Sequence, residues 1–295
     1  MGKILKQDTK DIAEPVNLLM VKLLFQKEPK LCPVDTWKQA LQDAFGEVET
    51  VSEENIYMMS ILNYQGRFMD KGEEKRVPVL HNMLSPSAFD MDTIDELKSS
   101  QFWDVPNAME LLKSCTHNIL MFDMMSISLE YPKRIDLAVR SVEAALRIYE
   151  DCVGVYVEAT GKFLTREQIL DNVDKNIIFR FLSMYVNVRF FNIQDSEDQI
   201  IDSLGLYALG LADVQMHFHG LDPNAVVNHV YNIASYQLEH DVPIKNNETV
   251  DGFDENGRID RKIQWTCRYE SSLIQPIREV LDIEAGSYAA GTREN

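Results

Sequence analysis

The stretch from Ile200 to Asp241 constrains this chain most. It reads IIDSLGLYALGLADVQMHFHG and continues LDPNAVVNHVYNIASYQLEHD. The first half alternates like strands and is broken by glycines, which predicts Ile200–Leu209 and Asp213–Phe218 as a hairpin across Gly210. In the second half Val226, Val230, Ile233, Ala234 and Leu238 recur at helical spacing, and Asp222-Pro223 supplies a start signal. A strand, a turn, a second strand and a helix follow one another within some forty residues.

The rest of the chain alternates in the same way. Val16–Phe25 is an apolar run fit for a central strand. A helix follows over WKQALQDAF, with Asp35 as its expected N-cap, Gly46 as its stop, and Trp37, Ala40, Leu41 and Phe45 on one face. Ile56–Tyr64 and Arg76–Met83 read as strands joined by a long loop, GRFMDKGEEKR. Short helices are expected over Asp90–Ser99 and after Pro106, a strand over His117–Met125, and the longest helix over Pro132–Asp151. A strand over Val153–Glu158 precedes a helix capped by Thr165, with Gln168 completing a capping box. Phe179–Ile193 is aromatic and β-branched and is assigned to a second unit. Strands are expected over Val242–Val250 and Arg261–Tyr269 with a tight turn at Asn256-Gly257, and Pro276–Ile283 closes the fold. The expected class is α+β: two adjoining mixed or antiparallel sheet units with helices packed on them, spanning 1–174 and 175–295.

Charge narrows the range of partners. With 29 basic against 47 acidic residues, the net charge is −18. Direct binding to nucleic acid needs cationic contacts to phosphate, and an anionic membrane surface would repel such a chain. No apolar run approaches the ~20 residues of a membrane span, and MGKILKQDTKDIAEP lacks the apolar centre of a signal peptide. Cys32, Cys115, Cys152 and Cys267 are widely spaced and form no C-x-x-C, which fits isolated core thiols in a reducing cytoplasm.

Few residues suggest chemistry. In a strand, His217 and His219 share a face and could grip one metal ion, with His229 or His240 as a third ligand. The competing reading has these histidines facing solvent or packing at a sheet edge. Asp254–Asp260 echoes a calcium loop, but aligning Gly257 with the loop glycine puts Gly252 and Ile263 where key ligands belong, so a hairpin turn is expected. Ser203 precedes Leu204-Gly205 without the flanks of a nucleophile elbow. Cys115 and His117 are near neighbours along the chain, a poor arrangement for catalytic partners. No glycine-rich phosphate cradle occurs, and no cofactor is expected. Met58-Met59, Met121 and Met124-Met125 lie inside strand runs, where core packing explains them.

The C-terminal third resembles a bacterial family of unknown function, DUF4261. Tyr207-Ala208-Leu209-Gly210-Leu211 with Asp213-Val214, the helix from Asp222-Pro223 to Tyr236, Thr249-Val250, Trp265 and Pro276–Leu281 carry the resemblance. Tyr207 stands where the family usually has Thr, and Ala212 where it has Gly. The resemblance implies an α+β module in a cytoplasmic setting and transfers no activity.

These readings favour a non-enzymatic cytoplasmic module that binds another protein, in bacterial defence, immunity or stress. Self-association stays open. One alternative is a metal-binding protein or metal-dependent hydrolase using His217 and His219. The other is a small-molecule sensor with a groove between the two units.

Overall fold

In the computed structural model, which describes residues 18–54, 56–254 and 256–291, the apolar run near the N-terminus becomes β1 (Met20–Phe25). It lies inside an eight-stranded sheet. Helix α1 (Val34–Phe45) comes next and buries Trp37, Leu41 and Phe45. Pro33 occupies its N-cap position with no side-chain cap, so Asp35 falls in the first turn instead of capping it. Gly46 ends the helix at φ 88°.

Strand β2 (Val48–Ser52) pairs with β3 (Ile56–Asp70), which pairs with β4 (Glu73–Leu84). The expected long loop is itself mostly strand. Lys71 and Gly72 alone turn the chain, with φ of 51° and 87°, as a two-residue hairpin connection requires. β5 (Ser87–Ala88), α2 (Glu96–Ser99) and α3 (Ala108–Ser114) lead to β6 (His117–Met124). Then come α4 (Tyr131–Ile148), β7 (Gly154–Val157), β8 (Lys162–Thr165), α5 (Arg166–Leu170) and α6 (Ile177–Tyr185). The expected capping box on α5 forms, with Thr165 and Gln168 each accepting from the other's backbone N–H. The sheet order is β2-β3-β4-β6-β1-β7-β8, with β5 beside β6, and every pair is antiparallel.

This first unit runs to Tyr185, eleven residues beyond the expected boundary at 174. The aromatic run read as part of the second unit starts with α6, and α6 packs on α4. Arg180 clamps Glu143 through two hydrogen bonds of 2.8 and 2.7 Å, and the Tyr185 hydroxyl donates to the Ala138 carbonyl.

The second unit begins at Val186. Its strands are β9 (Asn187–Asn192), β10 (Gln199–Leu204), β11 (Asp213–Phe218), β12 (Thr249–Phe253), β13 (Ile259–Ser271) and β14 (Glu279–Glu284). Their order is β12-β13-β14-β11-β10-β9, with β11 and β14 parallel and the other pairs antiparallel. The β10/β11 hairpin is present, but Leu206–Leu209 forms a 3-10 turn, not the end of a strand. Helix α7 (Pro223–Glu239) is capped by Asp222 and buries Val226, Val230, Ile233, Ala234 and Leu238, the stripe read from spacing. It lies on β9, β10 and β11. Two open sheets, each with its own helices, make the fold α+β.

Candidate functional site: a buried charged row beneath a surface loop

Strand register builds the most unusual feature of the second unit. Arg189 on β9 faces Asp202 on β10, which faces Gln215 on β11, which faces Asp282 on β14, which faces Arg268 on β13. Register partners project to the same side of a sheet, so five strands contribute one polar row. Trp265 and Tyr269 lie on the other side, where they meet His229 and Gln237 of α7. The row therefore occupies the face away from α7.

Asp202, Asp213, Gln215 and Asp282 are all fully buried. Charges in such a place must be paired and hydrogen-bonded to be tolerated. Arg189 donates to both oxygens of Asp202 at 2.9 and 2.6 Å. Arg278 donates to Asp202 and to Asp213, each at 2.8 Å. Asp213 also accepts from the Ser203 hydroxyl and from the backbone N–H groups of Gly205 and Leu206, which holds the turn after β10. Gln215 donates to Asp282 at 3.1 Å. Burial would lower the Arg278 pKa, but the Asp202 and Asp213 carboxylates outweigh it and raise it above its ordinary value.

The two arginines also reach the backbone of the loop between β13 and β14. Arg278 donates to the carbonyls of Ile274 and Pro276, and Arg189 to that of Gln275. Gln215 accepts from the Leu273 N–H, and Ser272 bridges across the loop to Ile274 and Pro276. Carbonyls that would otherwise face water are thus held from beneath. Above them Leu273 is 44% exposed, while Ile274, Pro276 and Ile277 are half-buried. Arg189, Arg278, Asp202 and Asp213 are paired with one another within this network. Its physical effect is to fix a loop with an apolar tip.

Residues 202–284 match the family model of DUF4261, a domain of unknown function. The matched segment contains Asp202, Ser203, Asp213, Gln215, Arg278, Asp282 and the whole loop; Arg189 precedes it. No curated protein and no solved structure matches the chain.

The histidines singled out by sequence are not brought together. His217 lies on the polar-row face of β11, with Nε2 3.9 Å from an Asp198 oxygen and its ring against Gly291. His219 lies past the strand end, where its N–H donates to the Tyr288 carbonyl. His229 projects from α7 on the opposite face, edge-on to Phe253 and Trp265 at 5.0 and 5.6 Å. Burial lowers its pKa to about 4, against a small opposing effect of Asp251. His240 packs against Tyr236. Among the described residues, no group of three or more His, Cys, Asp or Glu side chains could hold a metal ion. A site shared by His217, His219 and His229 is therefore not formed, because the pleat puts the strand and helix histidines on opposite faces.

Sequence reasoning passed over Asp202, Asp213, Arg278 and Asp282. For the three aspartates the available signal was a charge among apolar neighbours, as in IIDSL, LADVQM and VLDIE. A charge in a strand with no polar alternation implies a buried partner.

The first unit holds a second buried polar group. His81 on β4 and Asp123 on β6 are register partners, with the Trp37 ring 5.6 Å from the imidazole. Neither His81 nitrogen nor Asp123 Oδ2 has a hydrogen-bond partner among the described residues. Burial lowers His81 to about 4 and raises Asp123 to about 6, the latter opposed by Arg134.

Proposed function

We propose that the second unit is a non-enzymatic protein-interaction module that presents residues 272–277 to a partner protein. The observation carrying this reading is the grip of buried Arg189 and Arg278 on the loop carbonyls. Ordering a loop before binding removes an entropic cost from association. The exposed Leu273 and its apolar neighbours supply area for a hydrophobic contact. The chain's acidity, with net charge −18, would favour a partner with a basic rim. We place this role in the cytoplasm, supported by four buried cysteines that remain free thiols.

Affinity capture at moderate salt, comparing wild type with Leu273→Asp, tests the reading. A stoichiometric partner should be retained by wild type and released about 30-fold more readily by the variant, as expected for an interfacial apolar anchor. The circular dichroism and melting of the two proteins should coincide. Recovery of monomer alone, or undiminished capture by Leu273→Asp, would count against the module.

A further inference from the structure

The first unit carries a polar cleft of about 350 Å³ between the β3/β4 hairpin and the start of α4. We propose that this cleft binds a small sugar phosphate. The site belongs to the other unit and does not rest on the loop described above.

The cationic side of the cleft comes from Arg67, Arg76 and Lys133. Arg67 and Arg76 are direct register partners across the hairpin. Like charges placed opposite one another on a sheet are destabilising unless something neutralises them. Each reaches the same Glu74 oxygen, at 4.0 Å, so two guanidinium groups share one distant carboxylate. Lys133 forms no ion pair among the described residues. The lining holds a single carboxylate, Glu130, against these three cations. That is an excess of positive charge in a chain whose net charge is −18. Guanidinium forks and an ammonium group match the oxygens of a phosphate ester.

The remaining polar lining suits hydroxyl groups. Asn63 donates its amide to the Phe45 carbonyl and Gln65 donates its own to the Leu62 carbonyl. Their side-chain carbonyl oxygens are left as acceptors, the complement of sugar hydroxyl donors. The Ser128 hydroxyl donates to the Met125 carbonyl and retains lone pairs of its own. The lining has no aromatic side chain to stack on a base, which favours a sugar over a nucleoside.

Backbone geometry holds these groups in place. A Cβ at Gly66 would collide with Ser128 Oγ and stand 2.8 Å from the Met125 carbonyl, so β3 presses directly on the turn before α4. Met125 adopts φ 71° to make that turn. The hairpin arm and the helix start are thereby joined around the cleft.

Isothermal titration calorimetry on the full chain tests the proposal, with glucose 6-phosphate, inorganic phosphate and glucose in separate arms. Saturable binding of glucose 6-phosphate is expected, with inorganic phosphate binding more weakly and glucose giving no signal. R67A/R76A should weaken glucose 6-phosphate binding about tenfold or more, as should added salt. Lys133→Ala gives an independent reading in the same direction if the double variant is unfolded. Lys262→Ala, an exposed cation of the other unit, should bind as wild type does. Three outcomes would overturn the proposal: no saturable heat up to about 10 mM, far above useful affinity; equal affinity for phosphate and glucose 6-phosphate; or folded R67A/R76A and Lys133→Ala proteins binding like wild type.

Discussion

Arg278 joins Asp202, Asp213 and the loop carbonyls, and its side chain is 1% exposed. Replacing it by Ala leaves two buried carboxylates short of a partner, with an expected loss of about 3–5 kcal/mol in urea denaturation. Arg278→Lys should also destabilise, since one ammonium cannot reproduce the fork that spans both aspartates. The buried histidines make a separate contribution that depends on pH. His81 and His229 are lowered from 6.5 to about 4 by burial. Their unfolded forms bind more protons between these values, so stability is present above about 6.5 and is lost as pH falls toward 4, at about 3 kcal/mol each. Asp123, raised from 3.8 to about 6, acts oppositely: its contribution is present below 3.8 and is lost as pH rises through 6. Two histidines outweigh one aspartate, so stability should fall between pH 6.5 and 4.5. Urea midpoints at the two pH values should converge in His81→Asn and His229→Asn variants.

Hairpin β3/β4 shows how a glycine's neighbours decide its worth. At Gly66 an added Cβ meets Ser128 and the Met125 carbonyl, so Gly66→Ala should cost about 1–3 kcal/mol through overpacking. At Gly72 nothing lies within 4 Å and φ is 87°, so Gly72→Ala should cost only the backbone strain of about 1 kcal/mol. Thermal unfolding should rank the two in that order. The same hairpin marks a limit of pattern reading. Its distal arm, Arg67 to Arg76, has Phe68 and Met69 side by side, one on each face, among charged residues, so no period-two signal distinguishes it from a loop. Helix α6 was hidden for the opposite reason. IIFRFLSMY is apolar enough to serve as strand or helix, and only packing on α4 selects the helix. By contrast α7 was legible from end to end, because its cap, its proline and its stripe agree.

Across the molecule, all four cysteines are free thiols and all are buried. Burial raises Cys115 to about 11 and Cys152 and Cys267 to about 12, so almost no thiolate is present at neutral pH. A thiol reagent such as DTNB should find little to react with in the native protein and should titrate four groups in denaturant. Faster modification of the native chain would show that one of the cores opens readily. Local patterning sufficed for the α+β class, the β10/β11 hairpin, the stripe of α7 and the family likeness over residues 202–284, because each depends on neighbours close along the chain. Strand order and register were decided only in three dimensions. They bring Arg189 and Arg278, 89 residues apart, onto one carboxylate of Asp202, and they send His217 and His229 to opposite faces of one sheet. Pairing between distant strands sets which charges meet, and apolar periodicity within one strand carries no record of its partner.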